Sequence, residues 1–267
     1  MKSFLRKHWV DMLVILALAA LIVFGAIGIA DRFNFGKKWN IFYNYFITNS
    51  GYKKLLTGLQ NTGLIALFGF LIGLVIGTLI AMVRVIPPYK KVVRYAQKVC
   101  TVYVAFFRGT PLVVQLLVGY FIILPLAGSH MNPVTACCLI FGLNSGAYIA
   151  EIMRGGIQSV DAGQLEAARA VGLGFWISML KVVIPQAFKN ILPTLGNEFI
   201  SLIKETAVVG YVGAVDITKA FQDQGSNSYE YMIPYLMMAL LYIIIVAIIA
   251  SLVRLMERRL HKSDRHH

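Results

Sequence analysis

The side chains able to do chemistry in this sequence are few and sit in unusual company. Arg108, Glu198, Lys204 and Glu205 fall inside apolar stretches, and Glu151 closes another. A charge near the centre of a bilayer costs about 2.5–3.5 kcal/mol on insertion scales, so in a membrane such groups face protein, water or an interface. Arg108 precedes Gly109-Thr110-Pro111, where proline interrupts the helical ladder. It can satisfy the carbonyls freed there, or serve as a gate or a partner for a substrate carboxylate. Glu198, Ser201 and Glu205 are spaced three and four apart, which puts them on one stripe of a helix. That stripe is either a buried network or the lining of a water-filled path for a zwitterion. Asn144 and Tyr148 lie one turn apart and Glu151 three further on, so they can share that path. Arg154, three beyond Glu151, offers an ion pair at the membrane edge instead. An acidic lining suits an ammonium or guanidinium group.

None of this is catalytic chemistry. His8, His130 and His261 fall in loops or tails, so no histidine pair has metal spacing on a helix, and there is no Gly-x-Ser-x-Gly and no pair of intramembrane aspartates. Cys100, Cys137 and Cys138 form no CxxC and read as small packing residues. No cofactor or metal site is expected.

The elements that must hold these residues are long and apolar. Of 267 residues, 58 % are hydrophobic and 14 % charged, against roughly 45–50 % and 25 % in soluble domains. An integral membrane protein follows. The formal net charge of +13 then reads as a topology signal, with no nucleic-acid partner. Apolar runs at residues 12–30, 55–83, 99–126, 133–150, 193–215 and 231–253 predict six spanning helices. The first follows Lys2, Arg6 and Lys7 without a clear cleavage site, so it is expected to stay as a helix. With both termini inside, 17 Lys and Arg fall in cytoplasmic pieces and 6 in outer ones. The layout is an N-terminal helix and external loop over residues 1–54, a transmembrane domain over 55–260, and a tail over 261–267. The closing Arg265-His266-His267 resembles a tag remnant.

Two further features stand out. Gly69, Gly73 and Gly77 let a second helix backbone approach, either within the subunit or across a dimer face. The stretch 154–192 is too polar to span and too long for a turn. Asp161 can cap a helix there, Glu166-Ala167-Ala168-Arg169 favour one, and Gly172 and Gly174 can end it. A second short helix over residues 176–183 should stop at Pro185. The result is a bent cytosolic elbow with small alanines beside charges, either docked on another protein or simply solvated.

The spacing Glu166-Ala167-Ala168, three residues, Gly172, nine residues, Val182-x-Ile184-Pro185 resembles the EAA loop of ABC importer permeases. Val182 and Ile184 stand where Ile and Leu are usual. Phe107-Arg108-Gly109-Thr110-Pro111-Leu112 through Gln115-Leu116 is similar to a segment of the polar amino acid permeases, the histidine, glutamine and arginine group. So are Ala147-Tyr148 through Glu151-Ile152-Met153-Arg154-Gly155-Gly156-Ile157, and Asn197-Glu198-Phe199 with Lys204-Glu205-Thr206. The resemblance covers roughly residues 56–259. It implies an all-α permease of five core helices, here with one extra N-terminal helix, in a bacterial cytoplasmic membrane.

It also implies a transport subunit and not an enzyme. The sequence has no Gly-x-x-x-x-Gly-Lys-Ser/Thr loop to cradle ATP, so a separate ATPase, in two copies, would supply hydrolysis. Gln164, Glu166, Ala167, Ala168, Arg169, Gly172 and Phe175 would form the coupling helix docked on that ATPase. A second permease copy or paralogue, an external substrate-binding protein, membrane lipid and an amino acid substrate complete the implied partners. The rival readings are an ion-coupled carrier or channel without an ATPase, and a permease for a different solute.

Overall fold

The computed structural model describes residues 34–263, with side chains to residue 258. The expected helix over residues 12–30 and both chain ends lie outside it. The described chain is helical throughout: α1 Phe35–Thr48, α2 Gly51–Val85, α3 Lys91–Gly109, α4 Leu112–Leu126, α5 Pro133–Gln158 and α6 Ala162–Ala170. α7 then runs unbroken over residues 175–205, a 3-10 turn follows at Thr206–Val212, and α8 Ile217–Ser228 and α9 Met232–Ser263 complete the order.

Local chemistry sets several of these boundaries. Asn132 starts α5 by accepting from the Val134 amide at 2.7 Å, and Pro133 needs no amide partner at the first turn. Asp216 starts α8 by accepting from the amides of Thr218 and Lys219 at 2.9 and 2.8 Å. α9 extends to Ser263, into the stretch read as a tail.

Among the described residues α2, α5 and α9 are long and apolar enough to cross a membrane. α3 and α4 make a fourth crossing if the pair counts as one. That pair corrects the expected single run over 99–126, because the chain turns by 105° where Thr110 and Pro111 are both extended. The run over 193–215 is also corrected. It is shared between the end of α7 and the 3-10 turn, with the change at Glu205–Thr206.

Pro185 does not end a helix as expected. A π turn at Met179–Val183 precedes it, and the helix continues through Ile184–Glu205. A wider turn relieves the clash between a proline ring and the carbonyl four residues back. The same device appears at Gly119–Ile123, ahead of Pro125 in α4.

The main seam joins α2 to α5. A Cβ on Gly69 would lie 3.1 Å from the Phe141 Cβ, one on Gly73 2.8 Å from the Ser145 Cβ, and one on Gly77 2.6 Å from the Ile149 Cγ2. Gly142 and Gly146 return the arrangement, receiving Ile72 and Ile76. The doubled glycine motif is therefore used for packing within the subunit. In lipid, where apolar burial gives no drive, such close approach is what binds helices. Ile65, Leu116, Cys137, Phe141, Leu202 and Val209 fill the core beside this seam.

The end of the bundle opposite α6 carries two helices that the sequence reading left as loop. α1 lies within the expected external loop 32–54. α8 is fastened to α2 where the Asn61 Nδ2 donates to the Val215 carbonyl at 2.8 Å and Gly58 leaves room for the Asp216 backbone.

Candidate functional site

Two places carry the sequence-derived candidates. The first is the elbow at α6. Asp161 accepts from the Gly163 amide at 2.7 Å, so the expected cap is present. At the other end the Gly172 amide donates to Arg169 at 3.0 Å and the Leu173 amide to Ala168 at 3.2 Å. This two-bond closure needs a left-handed residue, and Gly172 has φ 89°. The helix ends at Ala170, short of the expected 164–175: Gly172 to Gly174 form the bend, and Phe175 opens α7. Gln164, Glu166, Ala167, Arg169 and Gly172 are exposed, Phe175 is half-buried, and Ala168 is buried. No atom beyond the immediate chain lies within 4 Å of a Cβ built on Gly172 or Gly174.

A cavity of about 650 Å3 lies between this elbow and the membrane helices, lined in part by Arg84, Arg154, Asp161, Leu165, Phe175 and Met179. It leads to the second place, centred on Glu151. The Glu151 carboxylate accepts from Arg154 at 2.6 and 2.9 Å and from Arg84, and Arg108 stands 3.8 Å away. The Glu151–Arg154 pair expected at the membrane edge is thus formed. Arg84, read from the sequence as part of a cytoplasmic connection, joins it. Arg108 stays 45 % exposed in its side chain and lies 5.4 Å above the Tyr148 ring, within cation–π range. Its guanidinium is therefore held at the surface of the subunit.

The carbonyls freed at the α3–α4 break are met by a different residue. The Gln115 Nε2 donates to the Phe107 and Thr110 carbonyls at 2.8 and 3.0 Å and to the Thr110 Oγ1 at 2.8 Å. The Asn144 Nδ2 in turn donates to the Gln115 Oε1 at 2.9 Å. Both amides are buried, at 8 % and 2 % exposure, so Asn144 braces the bend from behind. A lone amide four residues after Pro111 in an apolar run was the available signal for Gln115.

Glu198 accepts from the Ser145 Oγ at 3.0 Å, tying α7 to α5. Ser201 is half-buried one turn on, and Glu205 is exposed at the end of α7. Around α1 and α8 Lys54 and Lys219 reach Asp223 at 2.5 and 2.8 Å, and Lys38 reaches Glu230 at 3.3 Å. Burial would raise the Asp223 carboxyl, but Lys219 and Lys54 outweigh it and hold that carboxyl below its ordinary value. Lys54–Asp223 and Lys38–Glu230 were not read from the sequence, because they join segments more than 150 residues apart, and Lys219–Asp223 is a local pair one helical turn apart. No group of His, Cys, Asp and Glu among the described residues could hold a metal ion.

Among the described residues the chain is a strand-free helical bundle with a bent helical pair and a small-residue elbow, the architecture of a polytopic membrane protein. Residues 73–262 match the family described as binding-protein-dependent transport system inner membrane component, and the chain belongs to that family. It is a permease subunit of an ABC transport system and not an enzyme, and hydrolysis of ATP belongs to a partner ATPase.

Over 188 residues the chain is 39 % identical to a putative glutamine transport system permease protein of Rickettsia bellii, covering 70 % of this chain and 84 % of that one. The arginine transport system permease protein of Bacillus subtilis is 36 % identical over 210 residues, covering 79 % and 94 %. The solved structure of an amino acid ABC transporter matches with a TM-score of 0.73 and 37 % identity, over 80 % of this chain and 98 % of that one. A methionine ABC transporter matches in fold at a TM-score of 0.62 and 21 % identity.

Proposed function

We propose that this subunit imports a polar amino acid by alternating access, as one of two permease copies above two ATPase subunits, fed by an external binding protein. Both termini face the cytoplasm. The observation that carries the coupling half of this reading is the elbow. Gln164, Glu166, Ala167 and Arg169 present an exposed surface on a helix tied off at both ends, and Phe175 leads directly into α7. An ATPase seated there would move α7, and with it Glu198. The glutamine and arginine named for the relatives support a polar amino acid as the solute.

The path is lined by Arg108, Tyr148, Glu198, Ser201 and Glu205, with Asn144 and Glu151 behind them. Glu151 is occupied by arginines, so the anion-binding group of the path is Arg108, suited to a substrate α-carboxylate. An ammonium or guanidinium group falls to Glu198 and Glu205.

Reconstitution with the ATPase and binding protein tests the reading. Uptake of labelled glutamine, arginine or histidine is expected only with ATP inside the vesicles. Uptake driven by an ion gradient alone would overturn it. Arg108→Gln is expected to raise the half-saturating substrate level while ATPase docking is unchanged.

A further inference from the structure

α1 presents three distinct sides, and one of them has no cover among the described residues. Phe42, 6 % exposed, packs with Ile217, Phe221 and Ile233, and Phe35 and Phe46 join that cluster. Asn40, Asn44 and Thr48, each four residues apart, form an exposed polar side. Between them runs an apolar stripe: Trp39, Tyr43 and Ile47, exposed by 40, 53 and 48 %. The bundle therefore takes one side of the helix and water suits a second, but the third is largely aromatic and exposed among the described residues.

The position of this stripe points to its occupant. The Phe46 ring meets the Tyr52 ring at 6.3 Å across the α1–α2 junction. From Tyr52 the exposed face of α2 continues through Leu56, Leu67, Leu71 and Val75, which in a membrane component faces lipid. The α1–α2 junction thus sets α1, and the stripe it carries, at the end of the lipid-facing surface of α2. Tryptophan and tyrosine are the residues enriched at membrane–water interfaces. Lys37 and Lys53 are exposed beside them, where anionic headgroups would lie.

We infer that α1 is an in-plane membrane anchor, with Trp39, Tyr43 and Ile47 seated in the outer-leaflet interface of the bilayer. The choice of leaflet rests on the orientation proposed above. The anchor also holds α8, because the Tyr45 hydroxyl accepts from the Asn227 Nδ2 at 2.7 Å and Lys38 pairs with Glu230. The outer helices are thereby referenced to the membrane surface as well as to the bundle.

The test uses the full chain with Trp9→Phe and Trp176→Phe, leaving Trp39 as the sole tryptophan, in vesicles of phosphatidylcholine and phosphatidylglycerol. Phosphatidylcholine brominated at successive acyl depths and aqueous iodide serve as quenchers. An interfacial helix buries its apolar side about 5–10 Å into the headgroup boundary. Bromine near the headgroup end should therefore quench Trp39 most and iodide least. Strong iodide quenching without lipid quenching would overturn the inference. So would protection from both quenchers that is lost when the binding protein is removed or the dimer dissociates. Orientation is read separately: Asn44→Cys, in a variant lacking the native cysteines, is expected to react with an impermeant thiol reagent added to intact cells. Inside-only labelling together with lipid quenching would move the anchor to the other leaflet and fail the orientation alone.

Discussion

The α2–α5 seam and the elbow at α6 both depend on small residues, for opposite reasons. At Gly69, Gly73 and Gly77 a neighbouring helix already occupies the place of a side chain. At Gly172 and Gly174 that place is open, and Gly172 is needed for its backbone angle. Smallness in the seam is consumed by the fold. In the elbow it leaves a surface clear, which is why a motif of small residues in a membrane chain says little until its neighbours are known.

The contrast can be broken from either side. Gly77→Leu drives carbon into Ile149 and the Ala150 amide, and is expected to cost about 3 kcal/mol or more, read as a lowered unfolding midpoint in detergent. Gln115→Leu removes the short donor to the Phe107 and Thr110 carbonyls at the bend and leaves the buried Asn144 amide without its Gln115 partner, a loss of about 1–3 kcal/mol by the same assay. Glu166→Lys should leave that midpoint within about 0.5 kcal/mol, as surface changes do, yet abolish ATP-driven uptake. Gly172→Pro should also abolish uptake, since it removes the amide bonded to Arg169 and forbids φ 89°. If either elbow variant transports normally, the open surface has no partner in the cycle.

The smallest effect lies where α8 is pinned to α2. Asp223 has a depressed pKa, so its pairing with Lys54 and Lys219 contributes stability above the ordinary carboxylate range. That contribution is lost as pH falls through the lowered value. Acid titration followed by cross-linking of α8 to α2 should show loosening below about pH 4, absent in Asp223→Asn.

The sequence exposed what is local. The Asp161 cap, the glycine closure, the Glu151–Arg154 pair and three apolar spans all follow from residues within a few turns of one another. It missed what depends on distant partners. The Asn144 brace behind Gln115 comes from α5, 29 residues on, and α8 is held by Asn61 on another helix. Proline misled at Pro185, where the punctuation rule is correct for an ordinary turn and fails after a widened one.

That widened turn has a consequence for how force travels. Met179–Val183 stands between the elbow and the membrane portion of α7, so any pull exerted from below reaches the bilayer through a segment whose amide ladder is one residue out of step. Sharp bends in helices concentrate at such turns, so a tug at the bottom meets a built-in hinge before it reaches the rod above.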